Sequence, residues 1–192
     1  MTHLIQKKNF LALIAGVLML TSCNKNETPV PEPGSEKELV FKFNSSNLQE
    51  FQKIAGESIT NLAKEETKHY FGNRIAFATP DEVKISNDSI FIRKPHGVEE
   101  KFAARWHKDE LFIFREPSGN WEQCGKLSEK KRFLLNIGLF TKLSRNERRT
   151  LYVSGQDYSL TGRDKIQKTP SDIIVWLKLE VTLEKNKFKR KI

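Results

Sequence analysis

From Val83 to Glu184 the chain alternates apolar and polar residues in short runs, each ended within a few positions by turn-forming residues. A period of two places successive side chains on opposite faces of an extended backbone, so each run reads as a strand. Val83-Lys84-Ile85 leads through Asn87-Asp88 to Ile90-Phe91-Ile92, and Pro95-His96-Gly97 separates these from Lys101–Trp106. His107-Lys108-Asp109 turns into Leu111–Phe114, and Pro117-Ser118-Gly119-Asn120 turns into Trp121–Leu127. Arg132–Leu143, Thr150–Thr161 and Asp172–Glu184 continue the pattern. The last run is the cleanest: Ile173, Val175, Leu177, Leu179, Val181 and Leu183 share one face, against Ile174, Trp176, Lys178, Glu180 and Thr182 on the other. Tight succession of such runs predicts a meander of antiparallel hairpins.

One segment carries a different period. Leu48, Phe51, Ile54/Ala55, Ile59 and Leu62/Ala63 recur every three or four residues, which predicts an amphipathic helix over Asn47–Lys68. Asn47 and Glu50 have the spacing of a capping box. With Glu38–Phe43 as a first strand, the expectation is a mainly β (β+α) fold of about eight or nine antiparallel strands, with one helix near the N-terminus of the domain. A sheet of that size closes into a barrel or curves strongly, because open edges invite unwanted pairing. The arrangement resembles a lipocalin-type barrel, which implies a helix plugging one end or lying on one face, and an interior that can hold a ligand.

The first residues read as an address. A polar start ending in Lys7 and Lys8 precedes the apolar run Phe10–Leu20, which is about half the roughly 20 residues needed to cross a bilayer and lacks a second flank of positive charge. Leu20-Thr21-Ser22-Cys23 resembles the lipobox of bacterial lipoproteins. That resemblance implies cleavage before Cys23 and a diacylglyceryl group on its thiol. The following stretch contains Pro29, Pro31 and Pro33 and no apolar period, as in an extended spacer. The layout is similar to envelope lipoproteins of Bacteroides-type bacteria. The organisation expected is residues 1–22 as signal peptide, 23–37 as lipidated cysteine and polar tether, 38–184 as one β-rich domain, and 185–192 as a basic tail. Asn24 stands where inner-membrane retention signals use Asp, so the resemblance implies the outer membrane, with either face open.

Composition bounds the rest. About 155 residues follow the tether, enough for one domain with a core of its own, and 38% hydrophobic content with thirteen Phe is that of a folded chain. If Cys23 carries lipid, Cys124 has no disulfide partner; it reads as a small buried hydrophobe, with a nucleophile as the alternative. Residues 24–125 carry 14 Lys+Arg against 17 Asp+Glu, whereas residues 126–192 carry 17 against 7. The basicity therefore belongs to the C-terminal third. It gathers at Lys130, Lys131 and Arg132, at Arg145, Arg148 and Arg149, and in the tail Lys185–Lys191. These are candidate anion-binding residues for lipid phosphates or an acidic envelope partner, with solvated turns as the plainer reading. An exported address argues against nucleic acid.

Motifs that impose chemistry are missing: no nucleophile elbow, no His-Glu-x-x-His, no Cys-x-x-Cys, no phosphate loop and no EF-hand spacing occurs. No catalytic residue, metal site or cofactor is expected. His96 with Glu99/Glu100, and His107 with Asp109/Glu110, are the closest approaches to an acid-base pair or weak metal site, and both fall in turns that are polar for ordinary reasons. The aromatic residues Trp106, Phe112, Phe114, Trp121, Tyr152, Tyr158 and Trp176 are candidates for a ligand-binding surface, with plain core as the alternative.

Three functional readings remain open at this stage. The leading one is a non-catalytic binding domain for a small apolar ligand, a glycan or an envelope protein. The second is a structural protein docking on acidic partners or lipid phosphates through its basic third, and the third is a hydrolase. The address is testable at once. Metabolic labelling with a radioactive fatty acid should mark the wild-type chain in the membrane fraction, and Cys23→Ser should lose both the label and the membrane retention.

Overall fold

A computed structural model describes residues 38–186 apart from 117, 129–130, 145–151 and 167, and for 144, 152 and 153 the backbone only. Cys23, its tether and the tail beyond residue 186 lie outside the described residues. The elements in chain order are β1 (Leu39–Ala55), β2 (Ser58–Asn61), α1 (Thr67–Phe71), α2 (Arg74–Ala78), β3 (Glu82–Ile85), β4 (Ser89–Arg93), β5 (Glu99–His107), β6 (Glu110–Arg115), β7 (Asn120–Leu127), β8 (Arg132–Ser144), β9 (Tyr152–Asp157) and β10 (Asp172–Lys185).

All neighbouring strands pair antiparallel, and the pairing of β10 with both β1 and β8 closes the sheet into a barrel of eight strands: β1, β3 to β8 and β10. The expected barrel is therefore present. Three strands are much longer than the others, with 17, 13 and 14 residues in β1, β8 and β10. Their length divides the molecule in two. At one end the ring is complete, with residues 39–42 of β1 against β3 and 125–127 of β7 against 133–135 of β8. Further along, β1 exchanges β3 for β2, and β8 exchanges β7 for β9. The same three strands thus form the wall of the barrel at its closed end and the middle of a five-stranded sheet, β2-β1-β10-β8-β9, at its open end.

The alternation read in β10 holds. Val175, Leu177, Leu179, Val181 and Leu183 enter the main core, while Ile174 and Trp176 join a second cluster with Ile54, Phe140 and Ile166 on the opposite face of the open-end sheet. Inside the barrel, Val83, Ile90, Ile92, Leu111, Ile113, Cys124, Phe133, Leu135 and Ile137 are wholly buried. Side chains of this kind each stabilise the fold by about 1.5–3 kcal/mol on burial. They fill the lumen at the closed end, so this end of the barrel is a packed core.

The helix expected over Asn47–Lys68 is not there. Residues up to Ala55 continue β1, Gly56 at φ 60° makes the turn, and Ser58–Asn61 form β2. The helical part comes later and is shorter, as a 3₁₀ turn at Lys64–Glu66 followed by α1 and α2. The cause is a register shift between Leu48 and Glu50 in the ladder with β10. One extra residue at this bulge returns Phe51 to the same face as Leu48, so a three-residue spacing arises within a strand. Ile54, three residues further, lies on the other face, which here is also covered, against Ile174 and Trp176. Glu50 caps no helix; it accepts a hydrogen bond from Trp176 Nε1 at 3.0 Å. Phe51 meets the edge of Tyr70 at 6.1 Å and Phe71 at 6.2 Å, which seats α1 on the inner face of the open-end sheet.

Trp176 lies directly over Gly138, where any Cβ would overlap the indole. Gly138→Ala should therefore lower stability by about 1–3 kcal/mol, the usual cost of overpacking a closed site. A urea titration reads this; a loss within about 0.5 kcal/mol would mean that the ring simply moves aside.

Candidate functional site

The open end of the barrel is where polar groups collect, because the ends of β4, β6 and β9 and the starts of β5 and β7 meet there above the filled lumen. Lys94, just past β4, is 7% exposed. Its Nζ lies 2.6 Å from Glu100 Oε1 and donates to Gln156 Oε1 at 3.0 Å. Tyr158 donates a hydrogen bond to the other Glu100 oxygen and packs edge-on to Phe102 at 5.7 Å. Burial pushes the Tyr158 hydroxyl well above the ordinary tyrosine range, and its hydrogen bond to the Glu100 carboxylate and that group's charge add to the shift; Gln156 and Arg115 oppose it. Beside this network, Arg115 pairs with Asp157 at 3.6 Å, Lys165 with Glu122, and Lys142 with Asp172 at 2.7 Å. The Lys142 hydrogen bond, aided by the backbone N–H of Thr169, holds the Asp172 carboxyl below its usual range.

Two clefts flank β9. One, of about 370 Å³, is lined by Arg115, Phe140, Lys142, Gln156, Asp157 and Lys165, and each of its three cations has a carboxylate partner. The other, of about 410 Å³, lies between α2, the turn Pro95–Gly97 and the β8–β9 pair. Phe77, Ala78, Val98 and Leu139 supply its apolar wall, and Arg74, Lys94, His96 and Gln156 its polar groups. Phe77 and Val98 are 50% and 52% exposed, and Phe77 leans on His96 at 5.4 Å. Apolar side chains left half in water around a concavity suit a small-ligand site.

Arg74 is fixed by neutral partners. Its Nη1 donates to Thr141 Oγ1 at 2.8 Å, and its Nη2 donates to the carbonyls of Phe140 and Gly155 at 3.0 and 3.2 Å. The guanidinium also stacks over Phe71 at 5.3 Å. Burial lowers its pKa from the ordinary arginine value.

The aromatic residues singled out from the sequence are not brought together. Trp106 faces the closed-end core, edge-on to Phe133 at 6.2 Å. Trp176 is buried in the second cluster, and Tyr158 in the polar network. Phe112, Phe114 and Trp121 lie half-buried on β6 and β7; Phe114 and Trp121 are 5.5 Å apart and Arg105 covers the Trp121 ring at 4.3 Å. Tyr152 belongs to β9, and its side chain is outside the described residues.

The basic candidates are scattered in the same way. Lys131 sits exposed in the β7–β8 connection, and Arg132 pairs with Glu184 at 3.7 Å. Lys130, Arg145, Arg148 and Arg149 lie outside the described residues. His96 has no contact with Glu100, whose oxygens go to Lys94 and Tyr158. Among the described residues no group of three or more His, Cys, Asp and Glu is placed to hold a metal.

Sequence reasoning missed Arg74, Phe77, Lys94, Val98 and Gln156. The one available signal was a lone arginine at the start of the apolar stretch Ile75-Ala76-Phe77-Ala78. No protein-family model, no curated protein and no solved structure matches the chain.

The Tyr158 network makes a pH prediction. A tyrosine whose folded pKa is raised above the ordinary value of about 10 adds stability in full below about pH 10, and that contribution is lost as pH rises further. Chemical denaturation of the wild type should thus show a stability decline above pH 10 that is shallower in Tyr158→Phe. At neutral pH the variant should be less stable by about 1–3 kcal/mol, because Glu100 loses a donor. Parallel wild-type and variant curves across roughly pH 8–11 would rule out the linkage.

Proposed function

We propose that the chain is an outer-membrane lipoprotein, anchored through Cys23, whose barrel is a non-catalytic binding module for a small apolar ligand. The cleft between α2, the Pro95–Gly97 turn and β8–β9 is the site. The observation that carries this reading is the exposure of Phe77 and Val98 on the walls of a 410 Å³ concavity while the barrel below it is filled. A ligand would sit at the open end, above the packed lumen.

Two features weigh against the other readings. Sugar stacking needs a bare aromatic face, and the Trp121 ring already carries Arg105. Docking on an acidic partner needs free cations, and among the described cations of the C-terminal third Lys142, Lys165 and Lys178 meet Asp172, Glu122 and Glu50. The non-catalytic assignment is supported by Cys124, whose thiol is buried inside β7, donates to the Leu111 carbonyl at 3.5 Å and has its pKa pushed up to about 12, the opposite of an activated nucleophile. No described helix is long and apolar enough to cross a membrane.

The test uses a neutral apolar fluorophore, N-phenyl-1-naphthylamine, titrated into the full-length chain. Binding should brighten the dye, and Phe77→Asp or Val98→Asp should weaken it by about tenfold or more, since each replaces an apolar contact by a carboxylate that the ligand would have to desolvate. Both residues are half exposed, so thermal stability should change little. Equal affinity in wild type and both variants would move the site elsewhere.

A further inference from the structure

We propose that the cleft selects ligands by a single anionic head group, a carboxylate or a phosphate monoester, and that Arg74 is the residue that receives it. The inference rests on the cleft being the binding site and adds the chemistry of the ligand.

The argument begins with charge. The other lysines and arginines that line the two clefts beside β9 meet a carboxylate: Lys94 meets Glu100, Arg115 meets Asp157, Lys142 meets Asp172, and Lys165 meets Glu122. Arg74 does not. Its three acceptors among the described residues are a hydroxyl and two carbonyls, all neutral. A cation drawn partly out of water without a counter-ion is a cost that folded chains normally avoid by pairing.

Hydrogen bonding points the same way. An arginine has five N–H donors. Three of them serve Thr141, Phe140 and Gly155, which leaves Nε and one hydrogen of Nη1 with no protein acceptor among the described residues. The cleft wall carries Arg74, Lys94 and His96 but no Asp or Glu. With Lys94 already paired to Glu100, the unmet donors and the charge of Arg74 make this wall complementary to an acceptor that carries negative charge.

Position supplies the rest. The anchoring bonds hold the guanidinium in one place, so little side-chain freedom is lost when an anion binds. Phe77, Ala78, Val98 and Leu139 line the same cleft, which suits an alkyl or aryl body behind the charged head. A volume of about 410 Å³ is near the lower end of the range for small-molecule sites and suits one short chain.

The test is equilibrium dialysis of the full-length chain against decanoate, decyl phosphate and decanol, which share one tail and differ in the head. At least one anion should bind about tenfold or more tightly than decanol, and that preference should shrink as salt is raised. Whichever anion wins identifies the head group. Arg74→Gln should reduce the anion-over-decanol preference to within about threefold, and Arg74→Lys should keep part of it. Decanol binding as tightly as both anions, or an anion preference that survives Arg74→Gln, overturns the role of Arg74 and leaves the cleft as an apolar site. Failure of all three probes to bind overturns the cleft reading itself and this inference with it. If Arg74→Gln does not fold, the wild-type ratio of anion to alcohol and its salt dependence decide the question.

Discussion

The ladders that β10 makes with β8 on one side and β1 on the other hold the rest of the molecule in place. Each runs nearly the full length of β10, from Ile173 to Lys185 against β1 and from Asp172 to Glu184 against β8. Pairing of this kind satisfies backbone groups that would be costly to bury unpaired, and it also sets register. Because β10 is apolar on both faces near residues 174–177, it packs the barrel core on one side and the Trp176 cluster on the other. Ring closure, the open-end sheet and the platform beneath α2 all follow from that one strand being long and central.

The difference in strand length then creates the site. Strands β3 to β7 stop where the three long ones continue, so the open end has a wall on one side only. Apolar residues can no longer be enclosed from all directions there, and the chain turns to polar groups: Lys94, Glu100, Gln156 and Tyr158 form a bonded cap over the core. A buried network of this sort is most stable when its members are satisfied; Glu100 is, by serving Lys94 and Tyr158 at once, whereas Gln156 Nε2 is buried with no hydrogen-bond partner among the described residues. Arg74 stands at the margin of that cap, fastened by neutral acceptors next to an apolar concavity. Its position combines a rigid scaffold with a charge that meets no carboxylate among the described residues, and departures from the usual pairing rules tend to gather at functional sites.

Most of the β structure was legible because its signal is local. The inward set of β10 and the hairpins from β3 to β7 follow from alternation and turn residues within a few positions of each other. The segment 47–55 was misread because a bulge at Gln49 and a second covered face turned a two-residue period into a three-residue one. Spacing alone cannot distinguish a helix with one apolar stripe from a bulged strand buried on both sides. Nothing in the local pattern of 47–55 shows that Trp176, more than a hundred residues later, will cover Ile54.

The aromatic and basic candidates illustrate the same limit. Trp106, Trp121, Tyr158 and Trp176 are alike in sequence, yet they are divided among closed-end core, outer wall, polar cap and second cluster. By itself the sequence determined a closed or strongly curved antiparallel sheet and the expectation of a lipid address at Cys23, since both rest on short-range patterns. Only the tertiary structure decided that the lumen is packed, that the concavity lies between α2 and β9, and that Arg74 lacks a carboxylate partner among the described residues. The physical reason is that packing and charge compensation depend on what surrounds a group in three dimensions, and ring closure through β10 brings together residues that no local period connects.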